Sequence, residues 1–598
     1  MQKSKTLWEI SVRRPPASVE EAIDILLALR GLDRRALACR LEDLAPHAER
    51  IRGLDDAADL VARAVRDGRR LLLVGDYDCD GLTSIAQLAL FLRGAGFRNF
   101  NAATPASRAE GYGVPIAVVR ANPDAHLVVT LDCGTHDHQA LAAAREQGAQ
   151  VVVIDHHAIP DAGAIAPATV LVNPQHPDCP STFKAFATAG LTLLFLSRLR
   201  RALGEVGARP ALNGDFLALA AVGTVADVMP LVGPNRVIVR HGLAALAQGR
   251  PASLQALREV AGIANRSADA GQIGFQIGPR LNAAARMEDA SLALRLLLSE
   301  DRAEILQLAH RLDALNRLRQ DRVEEIFGEV RRTLAAMEDR RTVVLADPGY
   351  PLGVNGILAQ RVAREVHRPA VVMQEFPDDG IATGSARSIP GFDLFGALVE
   401  CGDLLERWGG HAMAAGVTLR RENLEPFRAR LEAVAQGRDA AIFQPRDRAD
   451  LELPAALLPI DARERNKFLR RLLDGLRELE PHGMGNPAPR FALRDCEILS
   501  LRAFGRGGSP QHLEIGLGNG LNAVLWSGAA GFAADPGQRI DLVCTLDWDE
   551  YRGAVRAIVR DAGRDLFVAN DAPAESSAGS AAGEDLAAQG FEPRTRGL

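Results

Sequence analysis

Three acids at alternate positions, Asp76, Asp78 and Asp80, follow the apolar run Leu71–Val74 and precede Gly81. The apolar run reads as a buried strand. Gly81 lets the backbone turn, and Thr83 and Ser84 can open the next helix. Carboxylates crowded at the end of a buried strand repel one another, and a divalent cation is the simplest compensation. An Asp-rich turn before a capped helix is the alternative, and Asp76 suits either task, cap or ligand.

Three later segments repeat the pattern. Leu127–Leu131 runs into Asp132, Cys133 and Gly134. Val151–Ile154 runs into Asp155, His156 and His157, and Leu217–Val222 leads through Gly223, Thr224 and Val225 to Asp227. In a parallel α/β sheet the carboxyl ends of the strands share one edge, where ligands bind. Four such ends can pool carboxylates and imidazoles in one place. Hard oxygen donors suit Mg²⁺ or Mn²⁺, and an imidazole shifts the preference toward Mn²⁺. Buried, hydrogen-bonded histidines are the alternative for His156 and His157, and a helix cap is the alternative for Asp227. Cys79 and Cys133 read as packing residues, because nothing nearby suggests a partner for a catalytic thiol.

The elements that must position these residues fall into several domains, since 598 residues exceed one core. Residues 1–55 read as an N-terminal helical region, with helical spacing over Val19–Leu29. Strands and helices alternate over 56–290, the signature of a doubly wound parallel sheet. Residues 291–338 are strongly helical, with Ile305, Leu308, Leu312 and Leu315 apolar and charges between them. They read as one helix connecting two domains, with two packed helices as the alternative. A second α/β segment fills 339–447. Over 448–568, alternating segments near 491–501, 512–517, 521–526, 540–546 and 554–560 predict a small antiparallel barrel such as an OB-fold. Residues 569–598, rich in Ala, Gly, Ser, Glu and Asp, read as a disordered tail.

No uninterrupted apolar run reaches the roughly 18 residues of a membrane span, and the N-terminus lacks an apolar export signal. Seven scattered cysteines without a CxxC pair fit a reduced, cytoplasmic setting. A net charge of −6 does not exclude a nucleic-acid partner, because local patches matter more than totals. The lack of a clear coiled coil favours a monomer.

GDYDCDGLTS at 75–84, LDCG at 131–134, DHH at 155–157 and GTVADVMPL at 223–231 resemble, in order, the four motifs of the DHH phosphoesterase superfamily. GPRLNAAARM at 278–287, GSARS at 384–388, GGHAMAAG at 409–416 and EPHGMGNPAPRF at 480–491 extend the resemblance to its RecJ single-stranded-DNA exonucleases, over roughly residues 50–565. The resemblance implies a DHH catalytic domain, a connecting helix, a DHHA1 domain and an OB-fold. It implies 5′→3′ degradation of single-stranded DNA to 5′-mononucleotides with two Mn²⁺ or Mg²⁺ ions, in recombination and repair. Single-stranded DNA with a 5′ end is the implied substrate, and a single-strand-binding protein and a RecQ-type helicase are the protein partners it points to.

Site roles follow from the same resemblance. Asp78 holds one ion and Asp80 the other, Asp132 bridges them, and His156 and Asp227 complete the second. His157 faces the scissile phosphate, and Asp155 is a site residue without an assigned task. Arg108, Ser385 and Arg387 grip the 5′ phosphate, a task that suits the bidentate guanidinium. Arg280, Asn282 and Arg286 contact the strand backbone, and His411 reaches toward the substrate phosphate. The barrel implies base stacking, with Trp526, Trp548 and Tyr551 as its candidate aromatics. Two departures stand out. Val74 occupies a position where many relatives carry His, and Tyr350–Val354 replaces a Trp-His pair before Gly-Val.

Two other readings compete. A DHH enzyme for short oligonucleotides or cyclic dinucleotides does not need the added barrel. A catalytically dead scaffold has no reason to keep Asp78, Asp80, Asp132, His156 and Asp227 together.

Overall fold

A computed structural model describes residues 6–107, 113–159, 165–204, 210–335, 337, 340–453, 458, 461–505, 511–550, 552–564 and 566–567. Arg108, Tyr551 and the expected tail at 569–598 lie outside the described residues. The chain divides into two units, one built on Cys39–Phe443 and the other joining the segment before Cys39 to the chain from Gln444 onward.

The chain opens on a strand, β1 (Leu7–Val12), where a helical region was expected. Trp8 and Ile10 are buried, so the inward side chains alternate as a strand requires. The expected helix follows at Val19–Leu29, with the Ser18 hydroxyl accepting from the Glu21 N–H.

The first unit is organised around a parallel sheet of β2 (Leu71–Gly75), β3 (Phe100–Ala103), β4 (Leu127–Leu131), β5 (Gln150–Ile154) and β6 (Val170–Val172). Their spatial order is β3-β2-β4-β5-β6, with every neighbour parallel. Leu71 and Leu73 enter the core on one face, Leu72 and Val74 the core on the other. Both faces are therefore covered, which is why these strands read as continuous apolar runs. The order reverses at β2, so the crevice beyond the carboxyl ends of β2 and β4 is the switch point where such sheets bind ligands.

The fourth apolar run is not a strand. Leu217–Val222 lies inside the helix Gly214–Ala226, capped by the Asn213 side chain, and is apolar on all sides because it is buried. The helix after β2 begins at Cys79, ahead of Thr83 and Ser84, which are both buried within it. The connecting segment is two helices, Ser291–Leu298 and Arg302–Ala335. Ser299 turns extended between them, and its hydroxyl donates to Glu304 across the break at 2.6 Å.

Downstream in the same unit, a second sheet contains β7 (Val343–Asp347), β8 (Ala370–Phe376), β9 (Ile381–Arg387), β10 (Arg407–His411) and β11 (Ala414–Arg420). Its order is β10-β11-β9-β8-β7, antiparallel except for the β7–β8 pair. In the second unit, β12 (Arg446–Glu452) pairs with β1 and then with β13 (Phe491–Phe504), both in parallel. The strands β13, β14 (His512–Leu517), β15 (Asn522–Leu525), β17 (Ala554–Gly563) and β16 (Arg539–Asp549) close on themselves through the β13–β16 pairing, the order of an OB barrel. Among the described residues no helix is long and apolar enough to cross a membrane. All seven cysteines are buried, and none is in a disulfide.

Candidate metal centre and substrate cleft

Asp78 sits at the N-cap of the helix Cys79–Gly94, where its carboxylate accepts from the Asp80 and Gly81 N–H groups at 2.9 and 3.2 Å. The cap is thus Asp78 and not Asp76. Asp80 points into the protein and is fully buried. Its two oxygens accept from the backbone N–H groups of Thr188 and Ala189, each at 2.7 Å. These amides open the helix Thr188–Leu203, whose N-terminal partial positive charge suits a carboxylate. The turn requires two glycines. A Cβ at Gly81 would lie 2.4 Å from the Asp76 carbonyl oxygen, and one at Gly223 would lie 2.7 Å from Asp80 Oδ1.

Asp132 follows β4 in the left-handed region, at φ +64°. A non-glycine residue held there marks a site whose surroundings over-determine the backbone. Its Oδ1 accepts from the Thr188 hydroxyl at 3.2 Å. His156 closes the group, with Nε2 at 3.2 Å from Asp132 Oδ1, 3.5 Å from Asp227 Oδ2 and 3.8 Å from Asp80 Oδ2. Asp227 arrives from the carboxyl end of the helix Gly214–Ala226, and its buried Oδ2 accepts no hydrogen bond from the described residues.

Electrostatics follow from this crowding. Burial and the neighbouring Asp227 push Asp80 up to about 7. Burial and Asp78 push Asp227 up to about 8, and burial with Asp80 raises Asp132 well above the carboxylate range. Burial and the adjacent His157 hold His156 low, in the neutral form that can ligate a metal. A divalent cation inverts this balance by favouring every ionised carboxylate. The donors fit one. Ligand atoms of Asp80, His156 and Asp227 lie within 4.8 Å of one another, as do those of Asp76, Asp78 and Asp132, and those of Asp132, His156 and His157.

Asp155 organises the loop after β5. Its Oδ1 accepts from the His156 and His157 N–H groups at 2.7 and 3.2 Å, and lies 2.7 Å from His157 Nδ1. Its Oδ2 accepts from the Thr135 N–H at 3.2 Å. Burial opposes ionisation of Asp155, but the His157 charge outweighs it and holds the carboxyl very low. Burial likewise opposes the charge on His157, and Asp155 overcomes it, raising the imidazole to about 9. The pair is an ion pair at neutral pH.

A cavity of about 480 Å³ opens over the centre, lined by Asp76, Asp78, Asp132, His157, Asp227, Asn282, Arg286 and Arg387 among others. Asn282 and Arg286 come from the helix Gly278–Met287, and Arg387 from the end of β9. Gly356 makes room for Arg387, since a Cβ there would lie 2.9 Å from its Nη2 and 3.6 Å from Ser385 Oγ. Ser385 is buried beside it on β9. His411 ends β10 and is exposed, paired across the hairpin with Ala414.

Arg280 is placed otherwise. Its guanidinium is buried, donates to Asp313 at 3.0 and 2.8 Å, and donates to the Gln276 carbonyl at 2.7 Å. Packing against the helix Arg302–Ala335 thus engages it through Asp313. Trp526 is exposed in the second unit and meets His512 edge-on, with ring centroids 4.9 Å apart. Trp548 is covered by Arg470, 4.0 Å above its ring. The sequence reading missed Thr188 and Ala189, whose amides open a helix onto Asp80 while the Thr188 hydroxyl reaches Asp132, and Thr135, whose N–H donates to Asp155.

Comparison with known proteins bears on the whole chain. The DHH family N-terminal domain matches residues 70–224, the DHHA1 domain 339–437 and the RecJ OB domain 463–560. The single-stranded-DNA-specific exonuclease RecJ of Salmonella typhimurium is 33% identical over 575 residues, covering 90% of this chain and 94% of that protein. The crystal structure of RecJ from Thermus thermophilus in complex with Mn²⁺ matches with a TM-score of 0.77 and 31% identity, over 94% of this chain and 80% of that one. The Mg²⁺ complex from the same organism gives 0.71 and 30%, over 93% and 78%. Agreement of this extent, on a chain whose acids and histidines converge as described, shows that it belongs to the RecJ family of single-stranded-DNA-specific exonucleases.

Proposed function

We propose that the chain is a 5′→3′ exonuclease that hydrolyses single-stranded DNA to 5′-mononucleotides, using two Mn²⁺ or Mg²⁺ ions, in DNA recombination and repair. The observation that carries the reading is the convergence of Asp78, Asp80, Asp132, His156 and Asp227 beneath one cavity. Asp76 and Asp78 would hold one ion, Asp80, His156 and Asp227 the other, with Asp132 shared between them. Ions so placed supply an activated water and stabilise the leaving oxygen.

The chain's own residues do the rest. His157 keeps its proton at neutral pH, and Asp155 fixes Nδ1, so Nε2–H is the donor we assign to an oxygen of the scissile phosphate. Asn282 and Arg286 steady the backbone, and Ser385 with Arg387 takes the 5′ phosphate. Arg108 shares that task by its motif alone, and His411 is retained as a phosphate-facing residue on the same ground. The OB barrel supports binding of the single strand, a class of ligand such barrels take through stacking and phosphate contacts. A monomer in the cytoplasm, working with a single-strand-binding protein and a RecQ-type helicase, completes the proposal.

The test is turnover on three substrates with Mn²⁺: a long single strand, a blunt duplex and a dinucleotide. The reading expects rapid loss of the long strand and little of the duplex. Asp132→Ala is expected to abolish hydrolysis while single-strand binding persists. Turnover of dinucleotides alone would move the assignment to a small-substrate phosphodiesterase. Binding without any turnover would make the chain a scaffold.

A further inference from the structure

Phe275 is the most exposed large apolar side chain among the described residues, at 73%. It sits in the middle of a π-helical turn, Ile273–Ile277, closed by the Gly278 N–H donating to the Ile273 carbonyl five residues back. Pro279 explains the wide turn. In an α-helix its ring would strike the carbonyl four residues earlier, that of Phe275. Such turns recur at functional sites because they re-aim a side chain within a helix.

This turn is fastened to the metal centre. A Cβ at Gly274 would lie 4.0 Å from Val225 Cγ1, and one at Gly278 3.4 Å from Ala226 Cβ, so the turn packs on the helix end that delivers Asp227. The Cys79 thiol also donates to the Gly278 carbonyl at 3.4 Å. Downstream, the same helix supplies Asn282 and Arg286 to the cavity wall. On the facing corner Val228 lines the cavity, 58% exposed and held at φ +59°. A β-branched residue in that region is strained, and the strain displays an apolar group at the rim.

We propose that Phe275, with Val228 beside the cleft, is a stacking contact for an unpaired nucleobase of the strand entering the site. It is a positioning residue that favours single strands, because a base already paired and stacked has no free face to offer it. The inference rests on the exonuclease reading. It follows from the exposure of Phe275 on a turn that packs against Val225 and Ala226, the helix end that leads into Asp227 and Val228 on the cavity wall, and from the π-face that every base presents to an aromatic ring.

The experiment compares the full chain with Phe275→Ala and Phe275→Tyr, in Mn²⁺, on single strands that are intact or carry one abasic site at successive positions from the 5′ end. Phe275→Ala is expected to raise KM about tenfold with kcat nearly unchanged, and Phe275→Tyr to restore it. At one abasic position the parent enzyme is expected to slow and Phe275→Ala to be indifferent. An unchanged KM, or an abasic penalty equal in parent and variant at every position, overturns the proposal. A parent enzyme that leaves intact single strands uncut overturns the exonuclease reading instead, so the two failures are distinguishable.

Discussion

Without a metal, burial and mutual repulsion hold individual carboxylates in this centre toward the protonated form, the wrong state for ligation. Asp80 and Asp227 rise from an ordinary 3.8 to about 7 and about 8. The native chain therefore keeps protons that the unfolded chain gives up. Stability of the metal-free protein should fall as pH rises from about 4 and be lowest above about 9. His157, raised to about 9, adds to the fall above its ordinary 6.5. A bound divalent ion removes the carboxylate penalty, so the gain in Tm on adding Mn²⁺ is expected to grow between about pH 6 and pH 8. Equal gains at both pH values, measured by calorimetry after chelation and reloading, would contradict the ligand assignment. The convergence of these acids was legible because each follows an apolar run. Asp155 was legible as a site residue but not in its task, since only the folded loop shows its carboxylate fixing His157.

Elements decide which residues reach the cleft. The switch between β2 and β4 follows from the alternation of strands and helices, and it brings Asp76, Asp78 and Asp132 together. Asp227 comes from the end of a buried helix and not of a strand, as the helical reading of its apolar run allows. An apolar run of that length has no periodicity to separate the two forms. Arg280 shows the opposite limit. It stands in a substrate-like motif, yet its partner Asp313 is distant in sequence and invisible without the fold. Removing one member of a buried pair costs about 3 kcal/mol, though Arg317 also reaches Asp313 at 2.6 Å and keeps part of it. Arg280→Ala is accordingly expected to lower Tm by several degrees with little change in KM. A raised KM at unchanged Tm would instead make Arg280 a strand contact.

At the scale of the whole chain, domain content was legible and long-range closure was not. The five short strands of the barrel announced themselves by alternation and turns, whereas β1 joins β12 across more than four hundred residues, a pairing with no local signal. The long connecting helix is present as Arg302–Ala335, but it starts later than expected, because Ser299 separates it from Ser291–Leu298 without a Gly or Pro to mark the place. One measurement addresses both the direction of digestion and its chemistry. A single strand labelled at its 3′ end, with or without a 5′ phosphate, is followed over time with Mn²⁺. The account predicts a labelled ladder that shortens from the 5′ side, faster with the phosphate, which Arg387 and Ser385 would grip. Immediate release of the label as a mononucleotide, with the rest of the strand still long, would mean digestion from the 3′ end and would contradict it.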